Sequence, residues 1–286
     1  MSNILNIIGN NIRYYRKRLG LTQEHLAEIT ELHRTYIGAV ERGEKNISAN
    51  NVAKISEALD IESYLIFKTD HLSFSSTALE EKACTPTPVR SSLFNKNCVL
   101  PYELTIDHIS QAMKAFLEFL GFINHQLFTK DIPRLESFLM PANFSSIVGE
   151  FMNTGIPKYC HSLVKNQYHN GHPDLIPKGR YADDAVQYSE AGIEIKGSRH
   201  PSGWQGHNPE SVWLIVFYFD SNTSNDKKKK IAPKPFRFRG VYAAKIEKSD
   251  WNFSGRSAAS RRTITASINK NGVNKMKKNW IYNDSE

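Results

Sequence analysis

Eight consecutive apolar residues, from Val212 to Phe219, constrain the fold of this chain more than any other feature. The run reads Val-Trp-Leu-Ile-Val-Phe-Tyr-Phe and is rich in β-branched and aromatic residues. A continuous apolar run of this length is typical of a strand that is buried on both faces. The run therefore predicts a central strand of a layered sheet.

A second strand is predicted at Ala191–Arg199, beside the apolar run. Side chains alternate across a strand, so Glu194 and Lys196 share one face while Ile193 and Ile195 enter the core. A later strand is expected at 236–246, and amphipathic helices at 105–126 and 143–152. Together these elements predict an α/β domain with a mixed sheet flanked by helices.

An acid and a lysine on one strand face can bind Mg²⁺ and position a water molecule, if a second acid lies nearby. Asp174, which follows Pro173, is the candidate for that second acid. The pattern Pro173-Asp174, followed further along the chain by Glu194-x-Lys196, resembles the active-site motif of the PD-(D/E)xK nucleases, which include most type II restriction endonucleases. A surface hairpin with an exposed Glu and Lys is the alternative explanation of the pair.

The resemblance implies a restriction-endonuclease-like fold and hydrolysis of DNA phosphodiesters. Asp174, Glu194 and the backbone carbonyl of Ile195 would bind Mg²⁺, and Lys196 would orient the attacking water and stabilise the transition state. The products would carry a 5′-phosphate and a 3′-hydroxyl. A palindromic target would require a homodimer, and a cognate methyltransferase is expected in the same system without being a physical partner.

Two assignments within this motif stay open. Asp183 or Asp184 would be the first acid if Asp174 were only a turn residue, although Leu175-Ile176 after Asp174 favours Asp174. Many enzymes of the superfamily also carry an acid on a preceding helix, which joins the metal site through water. Glu150 is the candidate for this catalytic role, and Glu136 is the weaker one.

The N-terminal segment, 1–70, carries a different pattern, of short helices separated by tight turns. An apolar stripe runs from Ile8 to Leu19, Gly20 ends that helix, and Thr22 and Ser48 are good N-caps for later ones. Two short helices joined by a tight turn are the layout of a helix-turn-helix. The segments 19–27 and 36–43 resemble the Xre/Cro helix-turn-helix family, which includes the controller proteins of restriction–modification systems.

This second resemblance implies an all-α bundle of five helices whose third helix enters the major groove. Arg34 is the best single candidate for reading a base, because an arginine can form two hydrogen bonds to guanine. By position, the residues expected to contact bases or phosphates are Gln23, His33, Arg34, Thr35, Tyr36 and Arg42.

DNA contacts are also expected from the C-terminal domain. The loop 198–209 directly follows the strand of Glu194, and it places Arg199 and His207 where they would face DNA; Trp204 in the same loop is favoured as a packing anchor. A basic segment at 254–265 is rich in Arg, Ser and Thr, which are common partners of bases and phosphates. Its candidate DNA-binding residues are Arg256, Arg261 and Arg262.

Charge supports a polyanionic partner, expected to be double-stranded DNA. The net charge is +8 and the isoelectric point is about 9.2. Residues 221–286 hold sixteen Lys or Arg and five Asp or Glu, a net of +11, whereas residues 1–70 hold nine of each. Non-specific attraction to DNA should therefore come mainly from the C-terminal third.

Three cysteines at irregular spacing form no zinc motif and predict reduced thiols in a cytoplasmic protein. No apolar run is long enough for a membrane span, and no signal peptide is apparent. We expect a helix-turn-helix domain at 1–70, a linker at 71–100 that is rich in Ser, Thr and Pro, and a nuclease domain at 101–286.

The sequence thus predicts a site-specific, Mg²⁺-dependent DNA endonuclease whose helix-turn-helix adds target contacts or regulates its own operon. The alternative is a transcriptional regulator whose C-terminal region senses a ligand or dimerises without cutting DNA. A nuclease for methylated or damaged DNA is a third possibility, which no residue pattern favours.

Overall fold

The structure is a computed structural model that describes residues 4–68, 74–206, 208–226, 229, 231–254 and 265–284. The chain divides into two compact units, Met1–Leu79 and Glu80–Glu286. Among the described residues, no helix combines the length and the apolar composition that a membrane span requires.

The N-terminal unit contains the five-helix bundle that the sequence predicts. Thr22 and Ser48 cap their helices as expected, since their hydroxyl oxygens accept hydrogen bonds from the amides of His25 and Asn51 at 3.1 and 3.2 Å. Gly20 follows the first helix with a φ of +68°, a conformation that glycine adopts without strain. The helices are α1 (Ile4–Arg18), α2 (Gln23–Ile29), α3 (Arg34–Glu41), α4 (Ala49–Ala58) and α5 (Tyr64–Phe67).

The second unit combines helices with two sheets. Helix α6 (Phe74–Ala83) spans the boundary between the units. The other helices of the second unit are α7 (Ile106–Phe128), α8 (Leu135–Phe138), α9 (Pro141–Tyr159) and α10 (Lys270–Lys278). Its strands are β1 (Leu163–Lys165), β2 (Leu175–Pro177), β3 (Ile193–Ser198), β4 (Gln205–Gly206), β5 (Val212–Asp220), β6 (Arg237–Ile246), β7 (Trp251–Ser254), β8 (Thr265–Ile268) and β9 (Trp280–Asn283).

The larger sheet is mixed, as predicted, with the strand order β1-β2-β3-β5-β6-β9. Strands β3 and β5 are parallel neighbours, and the other pairs in this sheet are antiparallel. A smaller antiparallel sheet has the order β4-β8-β7. The mixed sheet with helices is confirmed, while a restriction-endonuclease-like fold stays a prediction.

The position of strand β5 between two cores explains why its residues are apolar at consecutive positions. Ile215 and Phe217 enter a core with α7 and α9, whereas Leu214 and Val216 enter a second core with α10 and the smaller sheet. All four side chains are fully buried. Both faces of β5 are therefore covered, so neither face can carry polar side chains.

Helix α9 lies close to β3 because glycines occupy both sides of the contact. A Cβ atom added at Gly197 of β3 would stand 2.3 Å from the carbonyl oxygen of Ser145, and one added at Gly149 would stand 3.4 Å from the amide nitrogen of Gly197. Glycine at 197 thus permits an approach that a larger residue would prevent. The sequence predicts this helix only over 143–152, but it continues to Tyr159 because Met152 and Ile156 extend its apolar face.

The predicted linker over 71–100 is wrong for residues 80–100, which belong to the second unit. Cys84 is fully buried, the amide of Thr87 donates to the carbonyl of Phe236 at 2.8 Å, and that of Asn95 donates to Ile281 at 2.9 Å. The segment packs mostly in irregular conformation, so its sequence has no helical or strand period. The missing period and the prolines together led to the prediction of a linker.

Candidate active site

The motif residues of the second unit meet where β2 and β3 pair. Leu175 pairs with Ile193, which places Asp174, just before β2, beside the middle of β3. A side-chain oxygen of Asp174 (Oδ2) accepts a hydrogen bond from the amide of Ile195 at 2.8 Å. One backbone contact therefore brings together the two halves of the motif, which are well separated in sequence.

Strand β3 holds the other two motif residues as its alternation requires. Ile193 and Ile195 are buried, and Glu194 and Lys196 lie together on the other face. The Lys196 ammonium (Nζ) donates to Glu194 (Oε1) at 3.2 Å, and both side chains are mostly buried. The exposed hairpin that was the alternative for this pair is thereby excluded.

His172 is a member of the cluster that the sequence analysis did not select. Its Nδ1 lies 3.1 Å from Glu194 Oε2, and its Nε2 lies 3.3 Å from Glu210 Oε2. Its ring stacks on that of Tyr188, with centroids 5.7 Å apart. The imidazole therefore orients the Glu194 carboxylate, and its position two residues before Asp174 was the available sequence clue.

Electrostatics distinguish the two acids. Burial and the neighbouring Glu194 carboxylate raise the pKa of Asp174 well above its usual range. Burial alone would also raise the pKa of Glu194, but the hydrogen bond from His172 and the charge of Lys196 outweigh it and hold that pKa below its usual range. Two carboxylates that oppose each other's ionisation are stabilised by a shared proton or a cation.

Hard oxygen donors are the ligands that Mg²⁺ prefers, and this corner of the sheet supplies them. The N–H and C=O of a strand residue point to the same side, so the carbonyl of Ile195 faces the side of Asp174. Within the part of the chain that the structure describes, no cluster of three or more His, Cys, Asp or Glu residues has the geometry of a metal site. A cation here would accordingly be held by two carboxylates and neutral oxygens.

Glu150, the predicted third acid, is turned to solvent, although its charge is close enough to contribute to the raised pKa of Asp174. Its carboxylate pairs with Lys165 at 3.0 Å and is 64% exposed. Gly149 and Asn153, one helical turn apart, share the helix face that contacts β3, while position 150 is turned by about a quarter of the helix circumference. The buried residue that reaches the site is Asn153, whose side-chain nitrogen (Nδ2) lies 3.4 Å from Asp174 Oδ1.

The other candidate acids have structural roles. Glu136 is fully buried and pairs with Arg134 at 2.5 Å. Asp183 and Asp184 lie in a short turn with positive φ, where Asp184 accepts a hydrogen bond from the amide of Gly179 at 2.7 Å. Of these acids, Asp174 is the one that contacts β3, through the amide of Ile195, and its role as the first acid of the motif stays a prediction.

Arg199 does not face outward as the predicted DNA contact requires. Its guanidinium lies over the rings of Phe144 and Phe219, 5.4 and 5.1 Å from their centroids, and donates to the carbonyl of Ser221 at 3.0 Å. The aromatic rings of the core hold the side chain inward. Trp204 is a packing anchor, as favoured, since it is only 3% exposed.

Four predicted DNA-binding residues of this unit lie outside the described residues: His207, Arg256, Arg261 and Arg262.

In the N-terminal unit, the start of α3 presents three predicted DNA contacts to solvent. His33, Arg34 and Thr35 are exposed; His33 Nδ1 lies 2.8 Å from the Thr35 hydroxyl, and Arg34 pairs with Glu24 at 2.5 Å. Ion pairs between exposed side chains are weak, so Arg34 can exchange its partner for a phosphate or a base at little cost.

Other predicted contacts of this unit are partly committed to the bundle. Gln23 donates through Nε2 to the buried Glu41 at 2.7 Å, instead of leaving that group for a phosphate. Tyr36 donates through its hydroxyl to the carbonyl of Asn46 at 3.3 Å and accepts from Asn51 at 3.1 Å. Both side chains therefore support the bundle.

Arg42 is 56% exposed and forms a two-pronged pair with Glu44, at 2.9 and 2.8 Å. Its predicted contact with the DNA backbone stays a prediction.

Comparison with known proteins concerns this unit. A helix-turn-helix family model matches residues 12–66. The control protein C.SmaI of Serratia marcescens is 47% identical over 57 residues, which are 20% of this chain and 68% of that protein. C.BamHI of Bacillus amyloliquefaciens is 42% identical over 62 residues, which are 21% of this chain and 76% of that protein.

Through its N-terminal unit, the chain belongs to the controller-protein family. Among solved structures, the restriction-modification controller protein C.AhdI from Aeromonas hydrophila is 44% identical; the match covers 22% of this chain and 96% of that one, with a TM-score of 0.22. The resemblance of the N-terminal segment to controller proteins is confirmed. These matches each span about a fifth of the chain, so the resemblance of the second unit to PD-(D/E)xK nucleases stays a prediction.

Proposed function

We propose that this chain is a Mg²⁺-dependent endonuclease that cleaves double-stranded DNA at specific sites, with a controller-type helix-turn-helix fused to its N-terminus. The observation that carries the proposal is the meeting of Asp174, Glu194 and Lys196 at one corner of the sheet. Asp174 contacts the amide between the other two, and Glu194 contacts Lys196 at 3.2 Å.

The roles of these residues follow from their surroundings. Asp174, Glu194 and the carbonyl of Ile195 would hold the cation, and the repulsion that raises the pKa of Asp174 fits a site that gains by binding one. When bound, Mg²⁺ supplies charge stabilisation at the phosphate and acidifies water. Lys196 would orient the attacking water and stabilise the negative charge that develops on the phosphate. His172 keeps Glu194 in place.

The helix-turn-helix would contribute sequence-specific DNA contacts through the exposed start of α3. It would act either on the cleavage target or on the promoter of its own operon, as its relatives are named control proteins. Cutting both strands of a palindromic target would require a homodimer with two active sites.

The test compares wild-type protein with Lys196→Ala and Lys165→Ala on plasmid and phage DNA, with Mg²⁺ and with EDTA. Lys165 is the matched control because it pairs with the exposed Glu150 and not with Asp174, Glu194 or Lys196. We expect discrete fragments that require Mg²⁺, a loss of at least about 100-fold in rate for Lys196→Ala, and wild-type cleavage for Lys165→Ala.

A second candidate function is a transcriptional regulator that does not cut DNA. The similarity of the N-terminal unit to control proteins favours it. Intact DNA across several substrates, with gel-shift binding retained by wild type and Lys196→Ala alike, would support this alternative and refute the nuclease proposal.

A further inference from the structure

The side chain of Asn153 contains a buried oxygen that no group among the described residues satisfies. Asn153 is 3% exposed, and its Oδ1 is buried without a hydrogen-bond partner. Its Nδ2 lies 3.4 Å from Asp174 Oδ1. Buried amide oxygens are almost always hydrogen-bonded, so an unpartnered one beside a candidate active site requires an explanation.

The location of this oxygen follows from the contact between α9 and β3. Gly149 and Gly197 bring the helix against the strand, and Asn153, one turn after Gly149, lies on the same helix face. The Asn153 amide contacts one oxygen of the Asp174 carboxylate, and the amide of Ile195 holds the other at 2.8 Å. Asp174 is thus held by two donors, one on each carboxylate oxygen.

The cation site described above needs further oxygen donors. It contains two carboxylates, and Glu150, the acid expected to complete it, is exposed and paired with Lys165. An amide oxygen is a suitable neutral ligand for a hard divalent cation. Asn153 Oδ1 is buried, accepts no hydrogen bond from the part of the chain that the structure describes, and belongs to the side chain that touches Asp174.

We propose that Asn153 completes the divalent cation site: its Nδ2 positions Asp174, and its Oδ1 is an oxygen donor to the cation. This inference rests on the proposed function, since it deepens the composition of the same site. It replaces the predicted acidic residue of the helix with a neutral amide three positions later, because that position is the one that faces β3.

The experiment measures Mn²⁺ binding to the full chain without DNA, from the electron paramagnetic resonance signal of free Mn²⁺, with Mg²⁺ as competitor. The variants are Asn153→Ala, Asn153→Asp and, as a control on the same helix, Glu150→Gln. We expect Asn153→Ala to weaken Mn²⁺ binding about 10-fold or more. Asn153→Asp, which keeps an oxygen ligand and adds a negative charge but cannot donate to Asp174, should bind Mn²⁺ more tightly than Asn153→Ala, and Glu150→Gln should stay close to wild type.

The outcomes separate the two proposals. Wild-type binding that Asn153→Ala leaves unchanged would overturn the role of Asn153 and leave the metal-dependent nuclease standing. Equal loss in Asn153→Ala and Asn153→Asp, with both folded by circular dichroism, would show that only the donor Nδ2 matters and would also overturn the inference. No Mn²⁺ binding by wild type would overturn the cation site itself, and with it both proposals.

Discussion

Glu41 in the N-terminal unit is a buried carboxylate and Asp174 in the C-terminal unit a half-buried one, and their partners differ. Glu41 receives two hydrogen bonds from Arg16, at 2.5 and 3.0 Å, and one from Gln23 at 2.7 Å. Asp174 faces a second carboxylate, Glu194, and its hydrogen bonds come from the neutral donors Asn153 and Ile195.

The difference separates a structural charge from a functional one. A buried carboxylate that is fully paired adds specificity to a fold, whereas two carboxylates placed side by side destabilise it. Proteins retain such unfavourable arrangements mainly at functional sites. The contrast can be tested by removing one charge at a time in each unit.

The largest effect is expected for Glu41→Ala. This change leaves the guanidinium of Arg16 buried without its partner, which costs roughly 3–5 kcal/mol of the stability of the N-terminal unit. Glu44→Ala is the control, because Glu44 pairs with Arg42 at the surface. The stability of both variants is measured by unfolding in urea, with limited proteolysis within residues 1–79 as the readout. Equal unfolding midpoints for the two variants would contradict the structural role of Glu41.

An intermediate effect is expected for Arg34→Ala, which concerns binding and not stability. The affinity is measured on DNA fragments that were selected with the wild-type protein. The loss of a base or phosphate contact should weaken binding to these fragments by about 1–3 kcal/mol. Lys54→Ala on α4, a lysine paired with Glu31 at 3.6 Å, is the control and should change little. Gel shifts measure affinity, and unchanged affinity in Arg34→Ala would remove this residue from the interface.

The Mg²⁺-dependent cleavage rate of Arg34→Ala also shows which task the helix-turn-helix performs. A rate that falls together with affinity means that it binds the cleavage target. A rate that stays unchanged means that it binds a separate site such as a promoter.

The smallest effect is expected for Asp174→Asn, which should stabilise the protein where Glu41→Ala destabilises it. Burial and Glu194 raise the pKa of Asp174, so the folded protein favours the protonated carboxyl group. This group therefore adds stability below about pH 4, and the added stability is lost as the pH rises and the group ionises in the folded state. The variant lacks this loss, and the oxygen of its amide can still accept the hydrogen bond from the amide of Ile195. In EDTA near pH 8, the variant should be more stable than wild type by about 1 kcal/mol, with no gain near pH 4.

Chemical unfolding of the second unit at both pH values measures this effect. A variant that is less stable than wild type at both would place Asp174 among the structural carboxylates, and the contrast with Glu41 would fail.

Local patterns in the sequence were sufficient to predict strands β3 and β5 and the N-caps of α2 and α4. The apolar run of β5, the alternation of Glu194 and Lys196 with two isoleucines, and the caps Thr22 and Ser48 each depend on neighbours within a few residues. Side-chain period and capping chemistry are properties of the local backbone, so these predictions are confirmed.

Contacts between residues distant in sequence required the tertiary structure. Glu150 and Asn153 are equally plausible candidates for the site until the helix face toward β3 is known. The glycines at 149 and 197 determine that face. His172, Glu210 and the inward guanidinium of Arg199 likewise depend on elements that meet only after folding. Residues 80–100 looked like a linker because their order comes from hydrogen bonds to distant strands, which no local period can indicate.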